Sequence, residues 1–361
     1  MTLHIFNPEH DIALASGLSN FTAPHAGRQL RHDLGFLPAL WAAEDDAVLV
    51  DDPDYALHQL KKVRPRLAPL TARPLNFRDE QFLSAQQPAP ANFTTVSPWG
   101  WNSSLRAMLL RRGVDAAVMP NEEQLQTIRQ LSHRHTAACL LPNLRLEGTV
   151  GESFECRTQQ EVAEHVSRFG RAVLKAPWSS SGRGLRFADT SEYTVDSKHI
   201  AGWLSNLLTS QGSVMVEPFY NKVKDFGMEF ESDGNGQVSY QGLSLFQTKN
   251  GAYTGNIIAT EAAKEQLIGH YIPLTLLQNV RQLICSHLGL LLKGKYQGPF
   301  GVDMMAVAAD EGYLLHPCVE INLRRTMGHV ALLLSPDDDD VLRVMRIMYS
   351  DYKYHLQFSR L

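Results

Sequence analysis

Cysteine is scarce: four in 361 residues (Cys139, Cys156, Cys285 and Cys318), widely spaced and with no C-x-x-C pair. That excludes a zinc ribbon, a dithiol redox motif and a disulfide framework, and suits free thiols in a reducing cytoplasm. There is no excess of positive charge either. Thirty-four Lys and Arg against 38 Asp and Glu give a net charge of −4, so no global field attracts nucleic acid. Long apolar runs are missing: Leu288–Leu292 and Val330–Leu334 fall far short of the roughly 18 residues of a membrane helix. The opening residues, MTLHIFNP, have no basic or long apolar region, so no secretory signal is expected. Neither H-E-x-x-H nor G-x-S-x-G occurs, which removes the zinc-hydrolase and serine-hydrolase signatures. Glycine (25) and proline (18) are at ordinary levels, so collagen-like and disordered classes are out. What remains is a cytoplasmic globular chain that, at roughly 150 residues per domain, holds two or three units.

The first third reads as alternating strands and helices. Apolar strands at Leu3–Phe6, Ala47–Val50 and Phe93–Ser97 are interleaved with helical spacing at Pro24–Leu34 and after Trp101. That pattern predicts a parallel α/β sheet, whose strand C-terminal ends bind ligands. Two such ends carry polar or aromatic clusters, one with Asn7, His10 and Asp11, the other with Trp99 and Trp101; together they are a candidate ligand-binding surface. One helix is expected over Asn121–Leu141. Beyond it the texture is α+β, with strands at Ala172–Lys175, Ser213–Glu217, Gly227–Glu231, Val238–Phe246, Gly301–Ala308 and Gly312–Asn322. Helices are expected at Gln159–Phe169, His199–Leu208, Pro273–Leu288 and Asp338–Met348, the last capped by Asp337–Asp340. The expected units are 1–120, 121–210 and 211–361, the third ending in that helix.

Three segments carry chemistry. Residues 173–185, VLKAPWSSSGRGL, bring an apolar strand to Lys175 and then a small-residue loop of Ser179, Ser180, Ser181, Gly182, Arg183 and Gly184. Backbone N–H groups, hydroxyls and two cations suit phosphates; alone, the segment reads equally as a Ser/Gly hairpin. Residues 214–220, VMVEPFY, run a strand into Glu217, Pro218 and Phe219, with Asp225 following. A carboxylate can accept both hydroxyl protons of a ribose, and a strand end offers backbone groups to an adenine edge; singly, these are ordinary surface acids. The third segment pairs Asp303, ending an apolar strand, with HPCVEINLRR over residues 316–325. On a strand Glu320, Asn322 and Arg324 share one face, while Val319, Ile321 and Leu323 share the packed one. Asp303, Glu320 and Asn322 form an all-oxygen set suited to Mg²⁺; a salt-bridged polar sheet face is the other reading.

In this order, over residues 121–335, the three segments resemble the ATP-grasp superfamily of carboxylate ligases, as in D-alanine–D-alanine ligase and biotin carboxylase. The resemblance implies a Rossmann-like pre-ATP-grasp domain followed by a two-lobed ATP-grasp domain. It implies that Lys175 contacts the α/β phosphates and that loop 179–184 closes over the triphosphate. Glu217 to Phe219 would border adenine, Asp225 would hold the ribose, and Asp303, Glu320 and Asn322 would bind Mg²⁺ (or Mn²⁺). Arg324 would stabilise the acyl-phosphate, making it the catalytic candidate. The family's first ATP lysine has no match; Arg134 stands in its place with a planar fork instead of a point charge. No arginine shortly precedes Asp303, which counts against D-alanine–D-alanine ligase itself. The implied activity is ATP-dependent ligation of a small-molecule or peptide carboxylate to an amine, without nucleic acid or membrane partners and with a homodimer allowed. A kinase of the same fold and a non-catalytic nucleotide-binding protein are the alternatives.

Overall fold

The computed structural model describes residues 1–67, 70, 81–88, 92–179, 184–190, 198–249 and 252–361. The first unit is built from β1 (Thr2–Ile5), α1 (His10–Ser16), α2 (His25–Leu34), β2 (Ala47–Val50), α3 (Pro53–Leu67), β3 (Phe82–Ser84), β4 (Thr95–Pro98) and α4 (Ser103–Arg111). Its strands are parallel, in the order β3-β2-β1-β4. β2 is buried along its whole length, as a parallel sheet covered on both faces requires. The chain runs outward from β1 to β3 and then returns to the other side of β1. The topological switch point therefore lies between the ends of β1 and β4. There Asn7 Nδ2 donates to the Gly100 carbonyl at 2.8 Å, and Gly100 N donates back to Asn7 Oδ1 at 3.3 Å. Gly100 has to lack a side chain, because a Cβ would sit 2.6 Å from the His10 ring.

The single helix expected over Asn121–Leu141 is two, α5 (Glu122–Leu131) and α6 (Arg134–Leu140). His133 is extended and its Nδ1 accepts from His135 N at 2.9 Å, a side-chain cap that ends one helix and starts the next. Next come β5 (Phe154–Cys156), α7 (Gln159–Phe169), β6 (Arg171–Lys175), β7 (Leu185–Asp189), α8 (Lys198–Gln211) and β8 (Val214–Pro218), an antiparallel sheet in the order β5-β8-β6-β7.

The rest comprises β9 (Lys222–Ser232), β10 (Val238–Ser244), β11 (Phe246–Lys249), β12 (Ala252–Ile258), α9 (Glu261–Gly269), α10 (Leu274–Leu292), β13 (Gly298–Ala308), β14 (Tyr313–Asn322), α11 (Met327–Leu333), β15 (Arg343–Ser350) and β16 (Lys353–Arg360). Two antiparallel sheets result, β10-β9-β13-β14 and β11-β12-β15-β16. The expected C-terminal helix is absent; its residues form β15, which hairpins into β16. The aspartates before it cap no helix: Asp338 Oδ1 accepts from Asp340 N at 2.9 Å, and Asp339 takes the Thr260 hydroxyl. The tertiary reason is that Met345 and Leu356 pack into one core with Phe6, Leu34 and Trp99 of the first unit. Asp33 also accepts from Tyr354 N at 2.8 Å, so the end of the chain closes on its beginning. No helix among the described residues is long and apolar enough to cross a membrane.

Burial lowers the imidazoles of His10, His133 and His316 to about 4. Between that value and the ordinary 6.5 the unfolded chain binds protons that the folded chain refuses. Stability therefore falls as pH falls through 6.5 toward 4. Thermal midpoints should drop progressively from pH 7 to pH 5. The slope should lessen in His316→Phe, since neither ring nitrogen of His316 has a hydrogen-bond partner among the described residues. A flat profile would contradict the assignment.

Candidate active site

β13 and β14 place Asp303 directly opposite Glu320. Ile321 and Leu323 point into the core, as alternation requires, leaving Glu320 and Asn322 on the other face. Val319 departs from the expectation. The β13–β14 register slips between Asp303 and Met305, a bulge that turns Val319 into the same cleft as Glu320.

Just past β14, Arg324 grips Asp11 of α1 with two prongs, Nε to Oδ1 at 3.0 Å and Nη2 to Oδ2 at 2.8 Å. Its Nη2 also donates to Asn322 Oδ1 at 2.8 Å. Burial works to raise the Asp11 pKa, but Arg324 and then His10 hold it below the ordinary carboxylate value. Arg134, freed by the break between α5 and α6, reaches Glu320 Oε2 at 2.7 Å, Ser179 Oγ at 2.8 Å and the Ala176 carbonyl at 2.5 Å. Lys175, at the end of β6, meets Glu217 of β8 at 2.5 Å, both side chains being buried. Asp225 pairs with Lys222 at 2.5 Å and accepts the Thr248 hydroxyl.

Asp303 is different: burial, then the Glu320 and Glu229 carboxylates, push it up to about 8 against Arg324 and an Asn322 hydrogen bond of 3.2 Å. No three His, Cys, Asp or Glu side chains among the described residues converge as a metal cage. The donors on hand are the Asp303 and Glu320 carboxylates and the Asn322 amide. In such an all-oxygen set, ionising both carboxylates is opposed by burial and their mutual repulsion, and a hard divalent cation would relieve that cost.

These groups share one cleft of about 950 Å³. Arg134, Lys175, Ser179, Glu217, Pro218, Phe219, Asp225, Asp303, Glu320, Asn322 and Arg324 line it, with Asp11 and Trp99 from the first unit. Gly184 lies buried at the loop base, its carbonyl accepting from Ala176 N at 2.8 Å. Ser180, Ser181, Gly182 and Arg183 lie outside the described residues. Asn7, His10 and Trp101 do not line the cleft. Asn7 braces Gly100, His10 is buried against Asn102, and Trp101 packs against two core clusters.

Sequence reasoning passed over Glu229, a buried cleft carboxylate held by the Thr326 hydroxyl at 2.8 Å and His329 Nδ1 at 3.0 Å. Burial works to raise it, and His329 then Thr326 pull it below its ordinary value. The signal was present, since Asp225, Gly227, Glu229 and Glu231 share a face at strand period. Gly328 and Gly301 make room for it; a Cβ at Gly301 would lie 2.7 Å from Oε2, and one at Gly328 would fall on Oε1.

No family model matches the chain, and no curated protein matches it. Solved structures do. The N5-carboxyaminoimidazole synthetase of Staphylococcus aureus, complexed with ADP, is 13% identical, with a TM-score of 0.51 over 96% of this chain and 82% of that one. The fold is that of the ATP-grasp enzymes. A second structure of the same synthetase gives 12% identity and a TM-score of 0.50 over the same shares. A looser likeness, to the biotin carboxylase domain of Hydrogenobacter thermophilus 2-oxoglutarate carboxylase, has a TM-score of 0.46 at 13% identity. It spans 62% of this chain and about half, 51%, of that one. Within the ATP-grasp fold the first unit is joined to the strand bearing Glu320 and Asn322 through the Asp11–Arg324 pair.

Asp11→Ala leaves a part-buried guanidinium uncompensated and should cost about 3 kcal/mol in denaturant unfolding. Adding Arg324→Leu should recover part of that loss, whereas simple additivity would show the two groups to be uncoupled. Gly328→Ala should destabilise by about 2 kcal/mol, because its methyl group displaces the Glu229 carboxylate.

Proposed function

We propose that this protein is an ATP-dependent ligase that activates a substrate carboxylate as an acyl-phosphate for attack by an amine, with Mg²⁺ (or Mn²⁺) as cofactor. The observation that carries this reading is the meeting of Arg134, Lys175, Asp303, Glu320, Asn322 and Arg324 in one cleft, at the switch point of an α/β sheet. The ADP bound to the S. aureus synthetase of the same fold supports a nucleotide here. The units 1–120, 121–210 and 211–361 would then serve the acceptor, the nucleotide phosphates and the metal.

In this reading Lys175 and Arg134 bind the α/β phosphates, and loop 179–184 covers the triphosphate. Glu217, Pro218 and Phe219 border the adenine, and Asp225 binds the ribose. Asp303, Glu320 and Asn322 hold the cation, which when bound neutralises phosphate charge and orients the γ-phosphate. A carboxylate oxygen of the substrate attacks the γ-phosphorus and ADP departs; the amine then adds to the acyl carbon and phosphate leaves. Arg324, already aimed across the cleft, steadies the negative charge of the transferring phosphoryl group. Phe6, Trp99 and Met304 give the cleft apolar walls that keep water from the acyl-phosphate. No protein nucleophile is called for. The chain's work is positioning and charge neutralisation.

Titration of ATP into wild type and Glu320→Ala, with and without Mg²⁺, tests the reading. Wild type should bind MgATP at micromolar affinity, and Glu320→Ala should weaken it at least tenfold, about 1.4 kcal/mol. Metal-free ATP should not weaken in the variant, because losing Glu320 releases Arg134 for phosphate. A screen of acids with amines should then release ADP and phosphate only when both are present. A stable phosphorylated product would instead make the protein a kinase, and no binding by folded wild type would end the ATP reading.

A further inference from the structure

A second cavity, of about 540 Å³, lies beside α9 and α11. It adjoins the main cleft through one close contact: His329 lines the cavity, Glu229 lines the cleft, and they meet at 3.0 Å. Some of its charged wall is already satisfied, since Lys264 binds the Glu261 carboxylate and the Leu243 carbonyl, each at 2.8 Å. Two groups are not. The Arg325 guanidinium stacks over Trp41, 4.6 Å from the ring centroid, and among the described residues its N–H donors meet no acceptor. Among the described residues the Glu231 carboxylate accepts no hydrogen bond and forms no ion pair.

Both side chains are half-buried, and each feels the other. Burial lowers the Arg325 pKa against the pull of Glu231, and burial raises the Glu231 pKa against the pull of Arg325. Partly desolvated opposite charges that make no hydrogen bond to protein carry a cost. A ligand that brings a complementary charge to each removes it. A guanidinium matches a carboxylate as a two-pronged donor, and a carboxylate matches an ammonium group. Leu332 and Leu333 supply apolar wall to the same cavity. We propose that this cavity binds a free α-amino acid, its carboxylate on Arg325 and its ammonium group on Glu231, with the side chain against Leu332 and Leu333. The inference does not rest on the ATP reading, because no residue that assigns the nucleotide lines this cavity.

The test is calorimetric titration of the full chain, without nucleotide, against each of the common amino acids. At least one should bind saturably. Its amide, which lacks the carboxylate, and its N-acetyl derivative, which lacks the ammonium group, should each bind at least tenfold more weakly. Arg325→Leu should abolish binding and Arg325→Lys should restore part of it, with thermal midpoints confirming that both are folded. Should the leucine variant not fold, the amide and N-acetyl ligands on wild type decide alone. Absence of saturable binding, indifference to both blocked ligands, or displacement by MgATP would each overturn the proposal.

Discussion

The two-pronged contact between Arg324 and Asp11 joins residues 313 positions apart and fixes how the first unit meets the rest. A planar fork on a carboxylate constrains orientation as well as distance. Beside it, Arg325 N donates to the Trp99 carbonyl at 2.8 Å, so the end of β14 is also docked on the end of β4 through the backbone. These contacts need α1 to begin at the switch point, which the Asn7–Gly100 exchange and the bare backbone of Gly100 allow. The C-terminal hairpin then seals the same junction from the other side, with Met345 and Leu356 sharing a core with Phe6 and Trp99. The cleft is thus assembled from segments near both ends of the chain and from its middle, held in register by an ion pair, backbone hydrogen bonds and a shared core.

Much of this was legible in the sequence wherever strand period and chemistry coincided. The apolar runs that carry Lys175, Glu217 and Asp303 are strands and the three residues do line one cleft, although Asp303 lies in the middle of β13 and not at a strand end as expected. Legibility failed where the local signal was ambiguous. Val341, Leu342, Val344, Met345 and Met348 look helical in spacing, yet Arg343–Ser350 is a strand because its partner lies across a two-residue turn. That turn is Asp351-Tyr352, with φ of 51° and 60°, so the usual glycine of such a hairpin is missing and no turn residue announced it. The break at Ser132–His133 was hidden for a related reason, since a histidine nitrogen does the capping in place of the commoner Ser, Thr, Asp or Asn. Glu229 went unassigned because a carboxylate inside an apolar strand gains meaning only from Thr326 and His329, about a hundred residues on.

The charges of the cleft cancel in pairs: Lys175 with Glu217, Arg134 with Glu320, Arg324 with Asp11, Lys222 with Asp225. Any anion arriving at Arg134 must compete with Glu320, and once displaced that carboxylate stands opposite Asp303 across the strand pair. Burial, then Glu320 and Glu229, already push the Asp303 pKa up, so a freed Glu320 and an ionised Asp303 could not stand together without further cost. A cation arriving together with the anion removes that cost, because it takes the two carboxylates while the anion takes the arginine. Conversely, a cation alone would draw Glu320 away and leave Arg134 with only Ser179 and the Ala176 carbonyl as partners. Under the proposed function, the arrangement would favour simultaneous entry of an anion and a divalent cation over either by itself.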